Sequence, residues 1–303
     1  MKKFFIAIVA LAAAVSCSND DIISIDRQTI GFGNPFVENS VRADYSDGVQ
    51  KLTKFNVYGT VTGTAGTVNI FEGVEVEGTV GATEWSYDEQ YAQYWIPGAD
   101  YNFAAVVDAT VASQDANKMP LTLTTIADAT SNLEDMLYAA ADVEDAAADQ
   151  GVVSFTFSHL LSKVHFTVTS NATGGYHHNV TNITVANFES GTYTINGETW
   201  AGGENKNVAF ANIENVIVDN TDGVSNADLL LVPNAATFNV TFTVDLYKGE
   251  TKLGTETKTV AVENDLVKGN SYNFTIACSV GNPIQFTVTN DPTWADTTEV
   301  TVQ

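Results

Sequence analysis

Few side chains in these 303 residues have the chemistry of an active centre, and they lie far apart in the chain. The cysteines are Cys17 and Cys278, the arginines Arg27 and Arg42, and the histidines His159, His165, His177 and His178. A thiol behind an export signal can be acylated, an arginine in open chain can be cut by a trypsin-like protease, and paired histidines can hold a metal or carry a proton. No Gly-x-Ser-x-Gly, His-Glu-x-x-His or Cys-x-x-Cys pattern accompanies them, which argues against an enzyme. His159 and His165 share parity, but Val153, Phe155 and Phe157 are odd-numbered whereas Val164, Phe166 and Val168 are even. A bulge or break therefore falls between Ser158 and Lys163, and both histidines read as structural. His177 and His178, in "ATGGYHHNVTN", read as loop. "DNTDG", Asp219 to Gly223, lacks the spacing of a calcium loop and reads as a solvated turn. No metal or cofactor is expected.

Cys17 and Arg42 are different. The chain opens "MKKFFIAIVALAAAVSC", with Lys2 and Lys3 ahead of an apolar run from Phe4 to Val15. That run is shorter than the roughly 18 residues of a membrane-spanning helix and has the form of a secretory signal. "AVSC" resembles a bacterial lipobox, so residues 1–16 read as a lipoprotein signal peptide and Cys17 as the acylated residue. Each buried methylene of an acyl chain contributes about 0.8 kcal/mol, enough for two or three chains to hold a protein on a membrane. Arg42 stands in "ENSVRADYSDG" among Asn39, Ser40, Asp44, Ser46, Asp47 and Gly48, residues that favour open, exposed backbone. The Arg42–Ala43 bond is thus a candidate cleavage site. The formal net charge of −24, more negative still without Lys2 and Lys3, argues against nucleic acid or an anionic membrane surface as partner.

The elements that must position these residues read as strands. Phe55 and Val57 alternate, as do Tyr101, Phe103, Ala105 and Val107, and again Phe238, Val240, Phe242, Val244 and Leu246. Gly, Asn and Asp punctuate short segments, with hairpin signals at Asn196-Gly197 and near Gly249, which indicates antiparallel β-sandwiches. Tyr272, Phe274, Ile276, Cys278 and Val280 share one face, so Cys278 reads as a small core residue. Only Ser131 to Asp149 has helix-favouring composition, and it also suits a loose connection. At about 150 residues per domain the chain divides in two near Gln150, into 43–150 and 151–303.

"FTFSHLLSKVHFTV", from Phe155, resembles the mid-chain signature of the fimbrillin-like lipoproteins of Bacteroidetes. "IGF" at Ile30 followed by "SVRA", "YWIPGADYNFAA" from Tyr94, "LLLVPN" from Leu229, "LVKGNSYNFTI" and "IQFTVTNDPTWAD" extend the likeness in order along the chain. "SNDD" behind Cys17 resembles the signal that takes such lipoproteins to the outer face of the outer membrane. The resemblance implies an all-β protein of two tandem transthyretin-like antiparallel sandwiches, a subunit of a surface fimbrium with copies of itself and other fimbrial subunits as partners. It further implies that an arginine-specific protease removes a leader, residues 17–42, and that subunits then join by strand exchange. A sandwich that loses a strand exposes apolar core and unpaired backbone groups, which invites a strand from another chain. "ADTTEVTVQ", Ala295 to Gln303, suits the donor: it is terminal, lacks Pro and Gly, and in a strand sets Val300 and Val302 on one face. A removable leader plus a donor tail describes a repeating stalk subunit.

The rival reading is a surface glycan-binding lipoprotein or a fimbrial tip adhesin. Trp85, Tyr87, Tyr91, Tyr94 and Trp95 would then stack on sugar rings, whereas in a subunit they are core and rim aromatics.

Overall fold

The computed structural model describes residues 28–37, 44–46, 50–79, 84–128, 130–220, 222–263 and 265–291. The period-two segments are strands, because alternation buries one face of a pleated ribbon and hydrates the other. Among the described residues no helix is long and apolar enough to cross a membrane.

In the first lobe a six-stranded sheet runs in the order Phe36–Val37, Thr156–His159, Leu137–Val143, Asp100–Val107, Lys54–Gly63 and Gly66–Glu77. Its pairs are antiparallel except the first, where Phe36 and Val37 lie parallel to Thr156 and Phe157. Phe55, Val57, Phe71, Val76, Trp85, Trp95, Tyr101 and Phe103 face one core. The second lobe is a sandwich of two sheets. One is centred on Ser162–Ser170 and Ser271–Cys278, which run parallel, and the other on Tyr176–Phe188 and Phe238–Lys248. Val164, Phe166, Ile183, Val240, Phe242, Phe274 and Ile276 fill the space between them.

A smaller cluster, comprising Tyr58, Ala104, Val106, Leu123, Met136, Leu160, Leu161 and Tyr193, joins the lobes. It explains why Phe103 to Val107 is an unbroken buried run: this stretch has a core on each face. The joint is also hydrogen-bonded, since Gly191–Thr194 of the second lobe pairs with Pro120–Thr125 of the first, Leu123 opposite Tyr193.

The parity change resolves as a break. The strand Thr156–His159 ends, Leu160 and Leu161 both turn into the joint, and Ser162–Ser170 begins with opposite parity. Val153, Phe155 and Phe157 belong to the first core, so the cores change over at Leu160 and Leu161 rather than near Gln150. The helix-favouring stretch 131–149 contains the strand Leu137–Val143, with Ala139 opposite Ala105 and Ala141 opposite Phe103. Small side chains there let the ribbon pack close to large neighbours, and packing overrides the helical preference of alanine. Val280, expected on the core face, is exposed because the strand ends at Cys278. The hairpins fall where the Gly signals put them: Gly197 has φ 102° between Gly191–Thr194 and Thr199–Gly202, and Gly249 has φ 55° between Phe238–Lys248 and Thr251–Val262.

One motif occurs in both lobes. Gly98 to Phe103 and Gly269 to Phe274 both read Gly-x-x-Tyr-Asn-Phe. The Tyr101 hydroxyl accepts from Ile96 N at 2.7 Å and donates to Tyr94 O at 3.4 Å. Tyr272 repeats this, accepting from Val267 N at 2.9 Å and donating to Asp265 O at 2.7 Å. Each buried phenol thus pins the loop five and seven residues behind it, and desolvation raises the pKa of both.

Candidate functional site

The first core is completed by chain from its amino-terminal end. Ile30 and Phe32 are both 0% exposed. Phe32 sits among five rings, stacked on Phe155 at 5.9 Å and edge-on to Phe55, Phe71, Tyr87 and Phe103 at 5.6 to 6.3 Å. Pro35 and Val37 are also buried, whereas Phe36 turns outward. Full burial of a phenylalanine contributes about 1.5–3 kcal/mol, with up to about 1.5 kcal/mol more for each well-placed ring pair.

Both edges of this segment are hydrogen-bonded. On one side Gly33 N donates to Val153 O, Val153 N to Gly31 O, and Phe36 N to Phe155 O, all at 2.8–2.9 Å. On the other, Ile30 N donates to Gln93 O at 2.8 Å and Trp95 N to Gln28 O at 3.0 Å. Phe32 and Gly33 pair with Trp85 and Glu84. The Tyr87 hydroxyl donates to Ile30 O at 2.6 Å, and burial raises the pKa of this phenol. Tyr87 is thus a clasp on the strand, a role that its place in an aromatic-rich stretch does not reveal; the later bond to Ile30 requires the fold.

The segment from Glu84 to Trp95, which forms one wall of the slot, settles most of the aromatic question. Trp85 and Trp95 are core residues, and only Tyr91 and Tyr94, about half exposed, are open to a ligand. Tyr91 edges an open depression of about 530 Å³ lined by Glu72, Glu75, Glu77 and Asp88.

The histidines are dispersed. Among the described residues no three His, Cys, Asp or Glu side chains are grouped to hold a metal. His159 Nδ1 lies 3.0 Å from a buried Asp135 carboxylate oxygen, and His165 Nδ1 lies 2.9 Å from Asp228. His177 and His178 lie on the strand Tyr176–Phe188, not in a loop. The Gly174-Gly175 turn ends just before them, so the glycines that signal a loop punctuate the start of a ribbon. His177 stacks on Tyr247 at 5.1 Å. His178 is buried against Ser170 Oγ at 2.7 Å, and desolvation, then the neighbouring His177, lowers its pKa. Cys278 is buried too, and desolvation pushes its thiol pKa up to about 12, which leaves it inert. Cys17, Arg42, Ala43, Val300 and Val302 lie outside the described residues.

A family model described as fimbrillin-like matches residues 42–292. No curated protein matches the chain by sequence. A fimbrial protein from Bacteroides vulgatus superposes with a TM-score of 0.61 at 15% identity, over 88% of this chain and 99% of its own. A candidate cell adhesion protein from Bacteroides uniformis does so with a TM-score of 0.53 at 17% identity, over 90% and 99%. A third likeness, a candidate cell adhesion protein from Bacteroides ovatus, has a TM-score of 0.53 at 14% identity, over 88% and 96%. At these identities the likeness is one of fold.

Proposed function

From the premise that this chain belongs to the fimbrillin-like family, we propose that it is a stalk subunit of a surface fimbrium, assembled by protease-triggered strand exchange. The observation that carries this reading is the position of Ile30 and Phe32. They are sealed in the first core, yet they lie upstream of an arginine in turn-forming sequence. The precursor is exported, acylated at Cys17 and held at the outer membrane. An arginine-specific protease then cuts between Arg42 and Ala43 and separates residues 17–42 covalently from the lobe they complete. A slot without that strand has an apolar floor and two edges of unpaired backbone groups, each edge able to take a partner strand. The tail from Ala295 to Gln303 supplies it, with Val300 and Val302 toward the core. Arg42 gives an acceptor and the tail gives a donor, which is what a repeating subunit needs at its two ends.

The test is to treat purified precursor with an arginine-specific protease and follow it by electron microscopy and unheated gel electrophoresis. Ladders are expected, built of chains whose amino terminus is Ala43. Arg42→Ala should stay monomeric, and deletion of residues 295–303 should leave both lobes folded but unable to extend a polymer. Cys17→Ala should lose lipid labelling and membrane fractionation. A chain that stays monomeric with its leader displaced, or ladders that form without residues 295–303, would overturn the reading.

A further inference from the structure

The slot around residues 28–37 is particular about side chains. Its two deepest positions hold Ile30 and Phe32, and the second is ringed by Phe55, Phe71, Tyr87, Phe103 and Phe155. The positions between and after them are glycines that lie close to neighbouring side chains. A Cβ on Gly33 would stand 3.0 Å from both Ser154 Oγ and Val152 Cγ2, and one on Gly31 would stand 3.2 Å from Val152 Cγ1. The leader's own order is branched aliphatic, small, aromatic, small.

The chain's own tail does not follow that order. Beyond Asp291 it reads "PTWADTTEVTVQ". Val300 and Val302 have the spacing of Ile30 and Phe32, but Thr301, a branched residue, stands between them where the slot has glycine. The tail's one aromatic, Trp294, has Pro292 and Asp296 two residues away instead of an aliphatic. No register sets an aromatic among the five rings with an aliphatic beside it.

We infer that the slot selects an aromatic at the Phe32 position, so that a chain cut after Arg42 holds its own leader more tightly than the tail of a second copy, and exchange follows cleavage slowly, as the freed leader is lost to dilution. This rests on the strand-exchange reading and adds a control to it. Hydrolysis after Arg42 breaks one peptide bond, and the described backbone hydrogen bonds that seat the leader involve residues 28–37, all upstream of the cut. A second cut after Arg27 would free a peptide that still contains all of them. Cleavage therefore permits exchange without emptying the slot.

The experiment uses full-length precursor cut with an arginine-specific protease and passed over a sizing column. The leader is expected to co-elute with the cut chain, as read by mass spectrometry. The cut protein is then brought to equilibrium with an equimolar excess of three synthetic peptides: residues 28–37, the same peptide with Phe32→Val, and residues 293–303. The native peptide should be retained over each of the other two by at least about tenfold, the worth of the lost ring contacts. Equal retention of the Phe32→Val peptide, equal or better retention of the tail peptide, or loss of the leader as fast as the bond is cut would each overturn the inference. In those cases, retention of the tail peptide leaves strand exchange standing. A cut chain that has lost its leader and retains none of the three peptides would overturn both.

Discussion

The two lobes share a scaffold and differ in who supplies the last strand. Both carry Gly-x-x-Tyr-Asn-Phe, and in both the tyrosine hydroxyl ties the same two backbone positions behind it. Both cores also include a parallel pair, otherwise absent from the large sheets. In the second lobe that pair joins Ser162–Ser170 to Ser271–Cys278, along eight residues of register in the middle of the fold. In the first it joins Phe36–Val37 to Thr156–His159, along two residues, and the contributing segment enters from the far amino-terminal side. A core closed by a long internal ladder is held by chain on both sides. One closed by residues 28–37 depends on a short strand that a single cut between residues 37 and 44 would leave attached to the lobe by non-covalent contacts alone. Under the proposed strand exchange, the first lobe is therefore the one whose closing strand can be given up.

The sharpest way to break this comparison is to truncate the two corresponding rings. Phe32→Ala in the precursor should destabilise the first lobe by about 3–5 kcal/mol, as Phe166→Ala should the second, because each leaves a cavity in a sealed core. Urea unfolding followed by tryptophan fluorescence in a Trp200→Phe, Trp294→Phe background reads the first lobe, since Trp85 and Trp95 both lie in its core. A Phe32→Ala chain as stable as the parent would mean that the amino-terminal strand is not part of the fold. Next in size are Tyr101→Phe and Tyr272→Phe. Each should cost about 0.5–1.5 kcal/mol, since each leaves the backbone N–H of Ile96 or Val267 without its acceptor, and the two losses should match. Unequal losses would show that the repeated corner does not do the same task in both lobes.

The smallest effect is a pH dependence confined to the second lobe. Burial holds the His178 pKa below its ordinary value of 6.5. The folded chain therefore binds fewer protons than the unfolded chain as pH falls below 6.5, and stability declines until the folded-state pKa is passed. His178→Gln should flatten that decline, by under about 1 kcal/mol between pH 7 and pH 5 in urea titrations. A decline unchanged by the substitution would assign the proton uptake to another group.

Much of this was legible in the residues because a strand's alternation survives without its partners. "YNFAAVV" and "SYNFTI" give their inward residues by parity alone, and the parity change after Phe157 gives the break before Ser162. What needs the fold is whatever depends on contact across the chain. The strand Leu137–Val143 lies in alanine-rich sequence whose local preference points to a helix, and only its neighbours Ala105 and Phe103 decide otherwise. His177 and His178 follow two glycines, and their strand is set by pairing with Tyr247 and Leu246, some seventy residues on. The Tyr87 clasp on Ile30 spans 57 residues. The joint was hidden for the same reason: Leu160 and Leu161 signal a break, but nothing local says that both point at Leu123 and Tyr193.

That joint has a mechanical meaning. The link through Leu160 and Leu161 would by itself be a swivel, but the lobes also share a ladder. Ile195 N donates to Leu121 O, and Gly191 N to Thr125 Oγ1, each at 3.0 Å, while Lys206 reaches Ser131 O at 3.4 Å. Bending one lobe against the other has to rupture those bonds and expose Leu123 and Tyr193 together, so small deflections are resisted and yielding is abrupt. Such a body behaves as a strut of fixed length. In a fimbrium assembled as proposed, such struts would confine compliance to the junctions between molecules, and a pull would be felt first at the exchanged strand.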